Sequence, residues 1–265
     1  MGERPSIYVI AGVNGAGKSS IVGAHFVATG TPYYNPDVAA REYRHARPGT
    51  GVEEANIAAW NEGKRLLERA IDEGRDFVLE TTLGGNTITA LLERAAAEGF
   101  AVRIAFVGLD DVGLHLERVR MRVRRGGHDI PVHKIRERYD QAPRNLIRLL
   151  PHVTELRVFD NSAAGDPAEG VEPKPVEILY MAHGSIIRAL SRDAVPGWAW
   201  ASSMPPTTCG QELANRTRRN SDRMHPARCT PFSDRRLRIP PVPPPRELSL
   251  PPIPARHPRR STSRG

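Results

Sequence analysis

Cysteine is almost absent from this 265-residue chain, which holds two, Cys209 and Cys229. Residues 1–200 therefore cannot form a disulfide framework or a thiolate metal site, and a reducing compartment is expected. Long apolar runs are also missing, and none approaches the roughly 20 residues that a membrane-spanning helix needs. The N-terminus lacks the order of basic, apolar and small residues typical of a secretory signal. We therefore expect a cytoplasmic protein without a membrane partner.

Excess positive charge is missing from most of the chain, although the formal net charge is +8. Residues 201–265 hold 13 arginines, no lysine and four acidic residues, whereas residues 1–200 hold 25 basic and 26 acidic residues. This near-neutral balance argues against nucleic-acid binding by a folded domain within residues 1–200. Residues 201–265 also hold 13 of the 24 prolines and few apolar residues, so we expect a disordered tail there.

Strand-like and helix-like segments alternate between residues 7 and 160. This alternation predicts an α/β fold with a parallel sheet covered by helices on both faces. We predict a folded domain over residues 1–165, a small extension over 166–200 that can form a hairpin, and the 201–265 tail. The strands are predicted at 7–11, 33–34, 77–80, 101–107, 156–159, 176–181 and 185–189, and the helices at 19–29, 38–44, 52–73, 88–98, 112–125 and 135–149.

A glycine-rich octet, GVNGAGKS, follows the first strand and fits the P-loop pattern. The glycines let backbone N–H groups face a phosphate, Lys18 supplies charge to the β- and γ-phosphates, and Ser19 offers a hydroxyl to Mg²⁺. The helix that begins at Ser19 adds its N-terminal dipole. A glycine turn without a ligand is the alternative, and the flanking strand and helix argue against it. We predict that ATP and Mg²⁺ bind here, through Gly12, Val13, Asn14, Gly15, Ala16, Gly17, Lys18, Ser19 and Ser20.

Arginines at spacings of four and three share one face of the predicted helix 112–125. Because guanidinium groups bind phosphate oxygens with forked donors, this face can close over the transferred phosphoryl group as a catalytic lid. The glycine pair 126–127 would be its hinge, and Arg136 and Arg138 follow on the next helix. A solvated charged face is the alternative. The predicted lid arginines are Arg118, Arg122 and Arg125.

Two acidic residues stand at the ends of predicted strands. Asp37 is the candidate base for the proton of an acceptor hydroxyl, although the Asn-Pro-Asp sequence at 35–37 is also a good helix start. Glu80 ends the strand expected beside the P-loop strand, where it can order a Mg²⁺-bound water or bind substrate with the Thr81 and Thr82 hydroxyls. The alternative for Glu80 is an acid on the surface.

The remaining polar clusters carry less information. Asp160 and Asn161 are expected to border the adenine, because they follow a strand. The pair 110–111 is interpreted as a helix start. His128 and His133 have no carboxylate or thiolate partner at the spacing of metal ligands, so no zinc site is predicted.

Seven segments together carry a family resemblance. The segments are GVNGAGKSS at 12–20, YYNPDVAA at 33–40, ETTLGG at 80–85, RVRMRVRRGGHDIP at 118–131, IRERY at 135–139, RNL at 144–146 and VFDNS at 158–162. With them, the chain resembles the zeta-toxin family of P-loop kinases over about residues 6–165. The resemblance implies an α/β fold of the P-loop NTPase, kinase-like type and a kinase domain over residues 1–165.

The resemblance implies ATP-dependent phosphorylation of the 3′-hydroxyl of UDP-N-acetylglucosamine. It also implies an antitoxin protein that holds this activity off. It favours Asp37 as the base over a purely structural role. The nucleotide sugar would be bound by Glu80, Thr81, Thr82 and Arg138.

Two positions depart from the family pattern and bear on the sugar specificity. Ala40 stands where the family often has arginine, and the segment 142–143 replaces a usual serine.

Two other functions stay open from the residues alone. One is an ATPase that couples hydrolysis to motion or regulation, and the other is a polyanion-binding protein acting through its arginine-rich tail. A kinase for another acceptor belongs with the kinase function, since the fold does not choose the acceptor.

Overall fold

The computed structural model describes residues 4–127, 129–163, 170–171, 174–191 and 194–200. The predicted disordered tail, 201–265, and His128 lie outside the described residues.

Strands of the described residues form a six-stranded sheet in the order β2-β1-β3-β4-β5-β6. The first four strands are mutually parallel, and β5 and β6 are antiparallel additions beyond β4. The strands are β1 (Ser6–Ala11), β2 (Phe77–Thr81), β3 (Ala101–Gly108), β4 (Glu155–Asp160), β5 (Val176–Ala182) and β6 (Ser185–Ala189).

Helices connect the parallel strands, as an α/β fold requires. None of those described is both long and apolar enough to cross a membrane. A π-helical turn, Ser19–Gly23, leads into the first α-helix, and short 3₁₀ turns cover Leu150–His152 and Gly197–Trp200. The α-helices are α1 (Ala24–Ala28), α2 (Pro36–Ala46), α3 (Val52–Asp72), α4 (Asn86–Ala97), α5 (Val112–Arg124) and α6 (Val132–Leu149).

The sheet is buried on both faces, because successive residues of a strand point to opposite sides. Ile7 and Val9 of β1 pack with the apolar sides of α3, α4, α5 and α6. Tyr8 and Ile10 pack on the other face with Phe26 of α1. The predicted α/β fold with helices on both faces is therefore confirmed.

The predicted strand at 33–34 is reduced to a single bridge between Tyr34 and Leu79. The Tyr34 amide donates to the Val78 carbonyl, and the Glu80 amide donates to the Tyr34 carbonyl. This pairing brings the start of α2 to the carboxyl end of β2. The carboxyl ends of all four parallel strands lie at this edge, where ligands of open α/β sheets bind.

The described part of the 166–200 segment packs on the sheet. β5 and β6 form the predicted hairpin, and β5 pairs with β4 along its length. Trp198 is 7% exposed and stacks on Phe106 of β3, with ring centroids 5.8 Å apart. The division of the chain into domains stays a prediction.

Candidate active site

The P-loop joins β1 to the π-helical turn and depends on glycine at three positions. Gly12, Gly15 and Gly17 have φ angles of +137°, +83° and +91°, which residues with a Cβ rarely adopt. A Cβ on Gly15 would lie 2.7 Å from the carbonyl oxygen of His115, so the loop also needs glycine for its close contact with α5. The backbone thus has the conformation that the phosphate-binding prediction requires.

Glu80 joins the P-loop to the start of α2. Its Oε1 lies 3.6 Å from Lys18 Nζ, and its Oε2 accepts hydrogen bonds from Ser19 Oγ at 2.8 Å and Asn35 Nδ2 at 3.0 Å. Glu80 is 7% exposed, so the alternative of a surface acid is wrong. β2 lies beside β1 as predicted, and Glu80 at its end contacts Lys18 and Ser19.

Asp37 lies in the first turn of α2 and faces α5. Asn35 caps this helix, because its Oδ1 accepts hydrogen bonds from the Asp37 amide at 2.9 Å and the Val38 amide at 3.3 Å. The Asp37 carboxylate is 43% exposed, and its Oδ2 accepts from Arg122 Nη1 at 3.1 Å. Asp37 therefore fits the helix-start interpretation and still presents its carboxylate at the same edge as Glu80. Its role as a base stays a prediction.

The three predicted lid arginines lie four and three residues apart, two within α5 and the third directly after its last residue. Arg122 contacts Asp37, whereas Arg118 Nη2 donates to the carbonyl oxygens of Asn161 at 2.9 Å and Ala163 at 3.3 Å. Arg125 is exposed and follows the last residue of α5. Arg118 thus contacts the loop after β4, where the adenine was expected. A joint lid over the phosphates stays a prediction.

The glycine pair after α5, predicted as a hinge, ends the helix. The Gly126 amide donates to the Val123 carbonyl and the Gly127 amide to the Arg122 carbonyl, both at 2.9 Å. With φ of +80° at Gly126, these bonds form a Schellman motif. The structure therefore gives the pair a capping role, and motion about it stays a prediction.

Arg138 of α6 reaches the P-loop. Its Nη1 donates to Asn14 Oδ1 at 2.7 Å, and its stem packs against Gly84 in the loop after β2. Burial lowers the pKa of Arg138, and the negative charge of Asp37 opposes this shift. Arg138 thus lies between the P-loop and the loop after β2, and its role in substrate binding stays a prediction.

The loop after β2 uses the Thr81 and Thr82 hydroxyl oxygens within its own turns. They accept hydrogen bonds from the amides of Leu83 at 3.2 Å and Gly84 at 3.4 Å. Asn145 of α6 donates to the Leu83 carbonyl at 2.8 Å and shapes this loop. Asn145 lies in the RNL segment of the family resemblance, but no individual role was predicted for it. Substrate binding by the two threonines stays a prediction.

Two further side chains hold P-loop carbonyls. Asn161 Nδ2 donates to the Ala16 carbonyl at 2.9 Å, so Asn161 supports the loop from the β4 side. His115 Nδ1 donates to the Asn14 carbonyl at 2.8 Å. Burial lowers the pKa of His115 to about 4, with Lys18 adding to the shift. Sequence reasoning missed His115, because a histidine beside an apolar helix stripe gives no signal of its contact.

A sequence model of the zeta toxin family matches residues 1–164. The chain belongs to the zeta toxin family. This zeta toxin family protein is also similar to an uncharacterized protein of Haemophilus influenzae, with 30% identity over 128 residues that cover 48% of this chain and 88% of that protein. The family consists of P-loop kinases that bind ATP, so the protein is a phosphotransferase of this type.

Crystal structures of the AvrRxo1-ORF1:AvrRxo1-ORF2 complex contain a chain with a similar fold. The complex with sulphate ions gives a TM-score of 0.56 at 16% identity, covering 83% of this chain and 72% of that chain. The complex with ATP gives 0.54 at 16% identity, covering 70% and 60%. In the latter alignment this zeta toxin family protein spans less than two thirds of its neighbour. At this identity the likeness concerns the fold.

Proposed function

We propose that this zeta toxin family kinase transfers the γ-phosphoryl group of ATP to the 3′-hydroxyl of a nucleotide sugar such as UDP-N-acetylglucosamine. The supporting observation is the position of Glu80 between Lys18 and Asn35, since Lys18 belongs to the phosphate loop and Asn35 caps the helix that carries Asp37. One buried carboxylate thus links the groups that would bind ATP to the acid that would receive the acceptor.

In this proposal the Asp37 carboxylate accepts the proton of the sugar hydroxyl as its oxygen attacks the γ-phosphorus. The bond from that phosphorus to the β,γ-bridging oxygen breaks, and ADP leaves. Phosphoryl transfer depends on positioning and on charge stabilisation. Lys18 binds the phosphates, while Arg122 holds the Asp37 carboxylate and Arg125 contributes to the lid. Thr81, Thr82 and Arg138 line the sugar side.

Ser19 and Glu80 are the residues that would hold Mg²⁺. A hydroxyl and a carboxylate oxygen are 2.8 Å apart here, and hard oxygen donors are the ligands that this ion prefers. When bound, Mg²⁺ neutralises charge on the phosphate oxygens.

We also propose that the adenine lies against the loop after β4, where Arg118 contacts Asn161 and Ala163. A partner protein that blocks the site, in the manner of an antitoxin, belongs to the same proposal. The crystallised neighbour was obtained as a complex of two components, which supports a protein partner for this fold.

The experiment is ATP turnover against a panel of nucleotide sugars, with the product identified by phosphorus and proton NMR. We expect a new phosphomonoester on the 3′-carbon of UDP-N-acetylglucosamine. Asp37→Ala should lower the transfer rate on the order of 10²- to 10⁴-fold, the usual contribution of a general base. Asp72→Ala, which removes an exposed carboxylate paired with Arg94, is the matched control and should transfer normally.

Two outcomes would contradict the proposal. ATP hydrolysis at one rate with and without every sugar would favour an ATPase. Normal transfer by Asp37→Ala would remove Asp37 from the mechanism.

A further inference from the structure

We infer that His115 is a positioning residue for ATP binding, because its imidazole holds the Asn14 carbonyl and thereby orients the P-loop amide that follows. The inference rests on the part of the proposed function that places ATP on the P-loop. It concerns a residue of α5 that contacts the loop from behind and that no P-loop motif contains.

The contact is buried and well defined. His115 is 1% exposed, and its Nδ1 lies 2.8 Å from the Asn14 carbonyl oxygen. Since a carbonyl oxygen only accepts, Nδ1 must carry the proton. The ring also meets the edge of Tyr139, with centroids 5.5 Å apart and planes inclined by 72°. Tyr139 itself donates its hydroxyl to the Asp110 carbonyl at 3.0 Å, so the wall behind the imidazole is fixed.

The geometry of the peptide bond carries the effect to the phosphate side. In a trans peptide the C=O and the following N–H point in opposite directions. Because the Asn14 carbonyl points at His115 on α5, the Gly15 N–H points away from α5. The backbone of α5 lies close behind Gly15, as the short distance from a Cβ at this position to the His115 carbonyl shows. His115 therefore determines which way one of the phosphate-binding amides faces.

The side chain of Asn14 is held separately. Its Oδ1 accepts a hydrogen bond from Arg138, which orients the side chain of Asn14. The hydrogen bond from His115 orients the Asn14 carbonyl instead. A neutral imidazole is suited to this place, because a permanent charge would repel Lys18 and Arg118, whose positive charges already act on the ring. His115 thus supplies a hydrogen-bond donor behind the loop without adding a fixed charge.

The test compares ATP affinity in the full chain for His115→Leu and His115→Gln. The leucine keeps apolar volume and removes the donor, so we expect the Kd for ATP to rise about tenfold, the effect of one buried hydrogen bond. The glutamine amide can donate to the same carbonyl, and we expect it to restore the Kd to within about threefold of the wild type. In turnover assays the KM for ATP should rise in His115→Leu while kcat changes little.

Thr89→Val is the matched control for the loss of a buried donor. Thr89 is fully buried, and its hydroxyl donates to the Gly85 carbonyl at 3.1 Å, away from the P-loop. We expect it to lower the melting temperature without changing the Kd for ATP. Equal ATP affinity in wild type and His115→Leu would overturn the inference, as would equal weakening in the leucine and glutamine variants.

A measurement on the wild-type protein covers the case in which His115→Leu does not fold. Nitrogen-15 NMR of the histidine rings should show the proton of His115 on Nδ1. A proton on Nε2 alone would overturn the inference, because Nδ1 then has nothing to donate. Failure of the wild type to bind ATP would instead count against the proposed function.

Discussion

Lys18 and Glu80 are charged side chains that lie almost out of solvent, each 7% exposed. Removing a charge from water costs several kcal/mol unless a partner and further hydrogen bonds compensate. Here the two charges face each other, and Ser19 and Asn35 both donate to Glu80. The pair thus holds the Lys18 ammonium at the P-loop.

His115 predicts how the stability of the fold depends on pH. Its pKa falls from an ordinary 6.5 to about 4, mainly because the ring is buried, and Lys18 and Arg118 add to the shift while Asp111 opposes it. Between these values the unfolded chain binds a proton that the folded chain does not. Stability therefore falls as the pH drops from 6.5 towards 4, and His115 contributes no change above 6.5.

Denaturant unfolding of the wild type and His115→Gln between pH 4.5 and 7.5 measures this contribution. We expect the wild type to lose on the order of 2 kcal/mol more than the variant over this range. Other titrating groups, among them His25 with its lowered pKa, act in both proteins and cancel. Parallel pH profiles for the two proteins would contradict the assignment of a buried neutral ring.

At the scale of elements, buried strands and capped helices were predictable. β1 is buried on both faces, so its sequence is an almost unbroken apolar run. This run predicted the strand that precedes the P-loop. The predicted helices 52–73 and 88–98 end directly before Gly74 and Gly99, and both glycines have positive φ. The sequence predicted these elements because the apolar run and the glycines lie within a few residues of the strand and the helix ends that they determine.

Contacts between distant elements were not predictable. His115 and Asn14 are 101 positions apart, and Glu80 and Asn35 are 45 apart. Burial of Glu80 depends on a partner from α2, which nothing in the ETTLGG segment specifies. The arginine spacing of α5 predicted a common face but not the contacts, which join Arg118 to the loop after β4 and Arg122 to Asp37. Residue types at the site were thus accessible from sequence, and their pairing was not.

At the scale of the whole molecule, the family match ends at residue 164 but the core does not. Ile178, Met181 and Trp198 are buried in the main hydrophobic cluster. Trp198 also donates its Nε1 proton to Asp160 Oδ1 at 3.0 Å, beside the Asn161 that supports the P-loop. The hairpin and the turn at 197–200 therefore stabilise the edge that carries the candidate site.

Two truncations test this contribution. A chain ending at residue 165 would expose the apolar residues of β4, and each buried side chain it loses contributes about 1.5–3 kcal/mol. We expect this variant to melt well below the full chain or to aggregate. A chain ending at 200 keeps all three residues, and we expect it to retain the melting temperature and ATP affinity of the full chain. The melting temperatures are measured by circular dichroism. Equal melting temperatures for the two truncations would contradict this account.

The central claim is that the buried carboxylate of Glu80 links the phosphate loop to the acceptor side. The most direct measurement is kcat of Glu80→Gln at saturating ATP, Mg²⁺ and nucleotide sugar, beside Glu93→Gln, which changes a partly exposed carboxylate paired with Arg148. We predict that Glu80→Gln lowers kcat on the order of 100-fold, because the Glu80 carboxylate no longer holds the positive charge of Lys18 at the transferred phosphoryl group. Glu93→Gln should match the wild type. A kcat for Glu80→Gln within about threefold of the wild type, far below the loss such a group should cause, would contradict the claim.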